Sequence, residues 1–60
     1  MDSELIYTCL YDLISNHYYA DKAEATGMVE LFKTVLSEKQ YNELISLLEE
    51  IYVRSWLNGG

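Results

Sequence analysis

The sequence predicts an all-α fold: a small three-helix bundle, or a helical hairpin with a third helix packed across it, assembled as a dimer. Three observations lead there. Apolar residues recur with a period near 3.6 along the chain, and no proline interrupts them. Two interior segments, Asp21–Glu24 and Ser37–Gln40, have the form of capping boxes, in which the first side chain accepts from the third helical N–H and the third side chain reaches back. Half of the 60 residues are apolar. A chain this short leaves about 40% of its unfolded surface exposed even when folded, so an apolar fraction that high favours association of copies.

The first helix is predicted over residues 3–18, with Asp2 or Ser3 as N-cap. At about 100° per residue, Tyr7, Tyr11 and Tyr18 fall within about 40° of one line. Ile6, Leu10, Leu13 and His17 follow a second line about 100° away. One stripe docks a helix on its own core, so two adjacent stripes predict contact with something outside the chain.

The second helix is predicted over 22–36, with Ala25, Met28, Val29, Phe32, Val35 and Leu36 on one side. Gly27 costs about 1 kcal/mol relative to alanine inside a helix. It marks either a close helix crossing or a late helix start, with 19–27 as a longer loop. The third helix is predicted over 38–57 and closes at Asn58–Gly60. Its residues Tyr41, Leu44, Ile45, Leu48, Ile51, Tyr52 and Trp56 span an arc of about 180°, with Leu47 at its edge, where an ordinary surface helix needs about 100°. The joint at Ser37 is short, and a continuous helix through it is the alternative. The expected core is Ile6, Leu10, Leu13, Met28, Phe32, Val35, Leu44, Leu48, Ile51 and Tyr52.

The formal net charge is −6, from ten acids and four bases. Direct binding to nucleic acid or to an anionic membrane needs a basic footprint, so neither is expected. No stretch reaches the roughly 18 apolar residues of a membrane span, and the first residues lack the basic start and apolar run of a signal peptide. With one cysteine, Cys9, there is no internal disulfide. A lone thiol fits the reducing cytoplasm.

Candidate chemistry is sparse. Cys9 and His17 are the available nucleophile and base, but on a continuous helix they stand about 12 Å apart along the axis, where such a pair needs about 3 Å. One histidine and one cysteine cannot form a Cys/His zinc cluster. Glu43 and Glu50 share a face of the third helix without a Glu-x-x-His spacing to complete a metal site. No catalytic, cofactor-binding or metal-ligating residues are therefore assigned, and no cofactor is expected. The acids imitate DNA poorly, because they are scattered and Lys22, Lys33 and Lys39 interrupt them, whereas duplex DNA carries one charge per about 1.7 Å.

Six tyrosines remain the main signal. Tyrosine is favoured where one end is buried and the other wet, and in binding hot spots. The expected protein interface is Tyr7, Tyr11, Ile14, Tyr18, Leu47 and Trp56, while Tyr41 and Tyr52 are expected at the core edge. In overall type, small, acidic and helical without a motif, the chain resembles accessory proteins of phages and mobile elements. The expectation is a non-enzymatic interaction module, of the inhibitor or adaptor kind, that acts on a larger host protein and forms a homodimer. The alternatives are an assembly subunit whose apolar face serves self-association, and an acidic nucleic-acid mimic that inhibits a DNA- or RNA-binding enzyme.

Overall fold

The computed structural model describes residues 2–54. These hold three α-helices and no strand, in agreement with the period of the apolar residues. Helix α1 is Ser3–Ser15, α2 is Lys22–Leu31 and α3 is Glu38–Glu49. Beyond Glu49 the chain continues as a wider π-type turn, Glu50–Arg54. The expected reach of the third helix to residue 57, Trp56, and the close at Asn58–Gly60 lie outside the described residues.

Each helix begins where a short polar side chain supplies an acceptor that the first turn lacks. Asp2 accepts from the N–H groups of Glu4 at 3.0 Å and Leu5 at 3.3 Å, so it caps α1 in preference to Ser3. Asp21 accepts from the Glu24 N–H at 2.8 Å. The reciprocal bond expected from Glu24 is not formed among the described residues, so α2 has half of a box. Ser37 has both halves: its Oγ accepts from the Gln40 N–H at 3.1 Å, and its own N–H donates to Gln40 Oε1 at 2.9 Å. Ser37 is extended, with φ −71° and ψ 161°, so α2 and α3 are separate helices. Leu36 and Tyr41 flank this cap at the two positions of a hydrophobic staple and belong to one core cluster.

Two helices end earlier than their periodicity predicts. Helix α1 stops at Ser15 because the chain closes in a Schellman motif: the Tyr18 N–H donates to the Leu13 carbonyl at 3.0 Å and the His17 N–H to the Ile14 carbonyl at 3.1 Å. His17 takes the left-handed position with φ 54°, where glycine is usual. No glycine announces this end, but histidine, asparagine and aspartate are the other residues that enter this region most readily. Helix α2 stops at Leu31, five residues short, and the chain passes through tight turns with bonds from Lys33 to Glu30 and from Val35 to Phe32. Val35, expected in the core, is half-buried there and lies outside the core cluster. Gly27 sits within α2, exposed, and a Cβ on it would meet nothing within 4 Å. It marks neither a close crossing nor a late start.

Helices α1 and α2 each pack mainly on α3. The core takes Leu10 and Ile14 from α1, Ala25 and Val29 from α2, and Leu44, Leu47 and Leu48 from α3. Tyr19 and Leu36 add to it from the connections. Among the expected core residues, Leu10, Leu44 and Leu48 are buried, and Ile6, Leu13, Met28, Phe32, Ile51 and Tyr52 pack half-buried against them. No helix among the described residues is long and apolar enough to cross a membrane.

Candidate interaction surface

Three tyrosine hydroxyls tie the elements together. Tyr7 Oη on α1 donates to Glu43 Oε2 on α3 at 2.7 Å. Tyr41 on α3 donates to the Glu30 carboxylate on α2. Tyr52, in the π-type turn, donates to the backbone carbonyl of Tyr19 in the first connection at 3.0 Å. The environments follow from these bonds. The bond to Glu43, aided by burial and by the Glu43 charge, pushes the Tyr7 phenol up to about 12 from its usual 10.0. The bond to Glu30 likewise raises Tyr41, and burial raises Tyr19. Lys33 Nζ lies 4.9 Å from the centroid of the Tyr41 ring, so that ring meets a cation on its face and an acid at its hydroxyl. Tyr41 and Tyr52 are thus at the core edge, as expected.

The described residues of the expected interface fall into three groups. Ile14 and Leu47 are buried inside the monomer and are not available to an outside partner. The reason is geometric: the side of α1 that meets α3 centres on Leu10 and Ile14, not on the Ile6–Leu13 line, and α1 covers the edge of α3 that carries Leu47. Tyr7 is half-buried and spends its hydroxyl on Glu43. Tyr11 and Tyr18 are exposed, at 44% and 70%. They no longer share a helical line, because α1 ends before Tyr18. The Tyr11 ring is tilted 56° to that of Tyr7 at a centroid distance of 5.8 Å, and the Tyr18 ring stands edge-on to that of Tyr19 at 5.2 Å. Trp56 lies outside the described residues.

Two exposed apolar residues are absent from the expected set. Leu5 on α1 is 61% exposed and Leu31, the last residue of α2, is 68% exposed. Both stand more than about 100° from the centre of their helix's buried stripe at about 100° per residue, so the helical wheel contains the signal.

Between α1 and α3 runs an open groove. The Tyr7 and Tyr11 rings form its α1 wall, and Asn42, Glu43 and Ser46 of α3 with the C-cap residue Glu50 form the opposite wall, with Leu47 between. Glu38 and Lys39 stand at one end. The Glu43–Glu50 face of the third helix thus comes to lie opposite the tyrosines. Three carboxylates face one ammonium here, and the one ion pair among the described residues, Lys22 with Glu49, is not among them. A second hollow lies at the other end of α1, lined by His17, Tyr18, Tyr19, Glu24, Ile51 and Tyr52. The His17 ring packs edge-on to Tyr52 at 5.4 Å, which gives it a packing role. Cys9 is exposed on α1, before the helix ends, and His17 lies beyond that end. Among the described residues no group of three or more His, Cys, Asp or Glu is placed to hold a metal ion.

No protein-family model matches the chain, nor does any curated protein or any solved structure.

Proposed function

We propose that this chain is a non-enzymatic protein–protein interaction module. One observation carries the reading: Leu5, Tyr11, Tyr18 and Leu31 stand well out of a monomer whose core closes without them. A large apolar side chain left in water forgoes about 1.5–3 kcal/mol of burial, which a partner recovers. The type of chain, small, acidic and helical, supports an inhibitor or adaptor of the phage-accessory kind acting on a larger host protein. An exposed lone thiol at Cys9 fits the reducing cytoplasm as its location.

A second reading is an assembly subunit in which the same side chains serve a homodimer. The aliphatic pair Leu5 and Leu31 favours it, because homodimer contacts are more apolar than transient ones. The acidic mimic is weaker, because several acids are spent locally: Asp2 and Asp21 on caps, Glu43 and Glu30 on tyrosines, Glu49 on Lys22.

The test compares the parent with a Leu5→Gln, Tyr18→Gln, Leu31→Gln variant by sedimentation velocity and by capture from a cytosolic extract. The interaction reading expects a variant that unfolds at the parent's temperature yet releases what the parent retains. A shift from dimer to monomer with nothing captured by either protein selects the assembly reading. A monomeric parent that retains nothing above the variant overturns both.

A further inference from the structure

We propose that the groove between α1 and α3 binds an arginine-bearing segment of a protein partner, with the guanidinium lying on the Tyr11 ring between the carboxylates of Glu43 and Glu50. The proposal deepens the interaction reading by naming the partner's chemistry, and it rests on that reading.

Three features of the groove combine. Its charge is unbalanced: Glu38, Glu43 and Glu50 face Lys39 alone, and no ion pair among the described residues neutralises them. Glu43 is bonded to a neutral phenol, so its full negative charge stays in the groove.

The second feature is the ring geometry. Tyr7 is pinned by Glu43, and Tyr11 leans on Tyr7 at 5.8 Å, which holds the Tyr11 ring at the groove wall with 44% of the residue exposed. A planar guanidinium stacks on such a face and offers its N–H groups edgewise to carboxylates, which an ammonium cannot do in the same pose. The chain already sets a cation on a tyrosine face once, the Lys33 ammonium over Tyr41 with Glu30 at the hydroxyl. Among the described residues no cation lies over the Tyr11 ring.

The third feature is spacing. Glu43 on α3 and Glu50 at its C-cap lie about two turns apart, and Tyr7 and Tyr11 one turn apart on α1, so the walls run side by side and suit an extended segment with more than one cationic residue. The net charge of −6 steers such a segment toward the protein, most strongly at low salt.

The probe is a capped seven-residue peptide with two arginines, titrated into the full chain and followed by amide resonances. The control peptide carries citrulline, a neutral isostere, at the same positions. The arginine peptide is expected to shift Tyr11, Asn42, Ser46 and Glu50 saturably, and the citrulline peptide to leave them in place. Glu50→Gln and Tyr11→Ala are each expected to weaken the affinity at least about threefold, and Tyr11→Phe to keep it within about twofold, since phenylalanine retains the ring face. Neither the Glu50 carboxylate nor the Tyr11 hydroxyl makes a hydrogen bond among the described residues, so these variants keep the fold, which their unfolding temperatures check.

Shifts spread evenly over Asp21, Glu24 and Glu30, or affinities equal for all variants, mean charge screening without a site and overturn the proposal. So does equal binding of the citrulline peptide. A silent groove in a chain that still captures its partner through Leu5, Tyr18 and Leu31 overturns the groove alone and leaves the interaction reading standing.

Discussion

Helices α1 and α3 both carry more apolar surface than one docking stripe needs, yet the excess has opposite fates. On α3 the described part of the wide arc is consumed inside the monomer. Leu44 and Leu48 sit fully buried at its centre, α1 covers the Leu47 flank, and α2 reaches the other flank through Glu30 and Tyr41. A helix between two neighbours needs two stripes, and α3 is that helix. On α1 the excess is split. Tyr7 turns inward to Glu43, while Tyr11 remains outside and Leu5 projects on another side. The width of an apolar arc counts neighbours, and only the side chains left exposed after the fold's own neighbours are seated point to a partner.

Central and peripheral positions should therefore break apart under substitution. The largest effect is expected at the shared helix. Leu48→Ala removes a fully buried side chain from the middle of α3 and should cost about 3–5 kcal/mol, which in a domain this small leaves little folded protein in a urea titration. Leu5→Ala, at an exposed site of α1, should stay within about 0.5 kcal/mol of the parent. Similar losses at both sites would mean that Leu5 is covered in the folded state.

The end of α1 offers a smaller contrast. His17→Gly and His17→Ala both lose the ring contact with Tyr52, so their difference isolates the backbone. At φ 54° the glycine variant should be the more stable by about 1 kcal/mol. Equal thermal midpoints would remove the left-handed close from the account. In α2, Gly27→Ala should stabilise by about 0.5–1 kcal/mol, because the site is helical and a methyl group there enters open space. A loss of stability would place an unseen neighbour at Gly27.

The Tyr7 bond sets the smallest effect and its pH dependence. A phenol whose ionisation is raised in the folded state contributes stability that is full below the unfolded value, near 10, and is lost as pH climbs through about 12. Tyr7→Phe should cost about 0.5 kcal/mol at neutral pH, at the low end for a hydrogen bond because water screens the site. In a spectrophotometric titration the same variant should lose the tyrosine ionisation nearest pH 12. Loss of an ionisation near the ordinary 10.0 instead would show that the Tyr7–Glu43 bond is not formed in solution.

Much of the fold was legible because caps and periodicity are local. Asp21 and Ser37 mark two helix starts by side-chain chemistry alone, and Ser37 with Gln40 forms the complete box. The ends were harder. His17 closes α1 without a glycine, and the turns after Leu31 keep an apolar pattern that a helical wheel reads as more helix. Those two ends moved Tyr18 off the tyrosine line and Val35 out of the core. The candidate groove was half legible: Glu43 and Glu50 share a face by spacing, as do Tyr7 and Tyr11. That the two faces meet depends on how α1 crosses α3, which is a tertiary fact no local pattern contains. The same crossing buries Ile14 and Leu47, which sequence reasoning had placed outside.

The division between Tyr7 as part of the fold and Tyr11 as part of the surface is the central claim, and paired urea unfolding of Tyr7→Ala and Tyr11→Ala tests it most directly. Tyr7→Ala removes a half-buried ring and its bond to Glu43 and should cost about 2 kcal/mol or more. Tyr11→Ala removes an exposed ring that leans on Tyr7 and should cost less than about 1 kcal/mol. Equal losses, or a larger loss at Tyr11, would place Tyr11 in the monomer core and contradict the account.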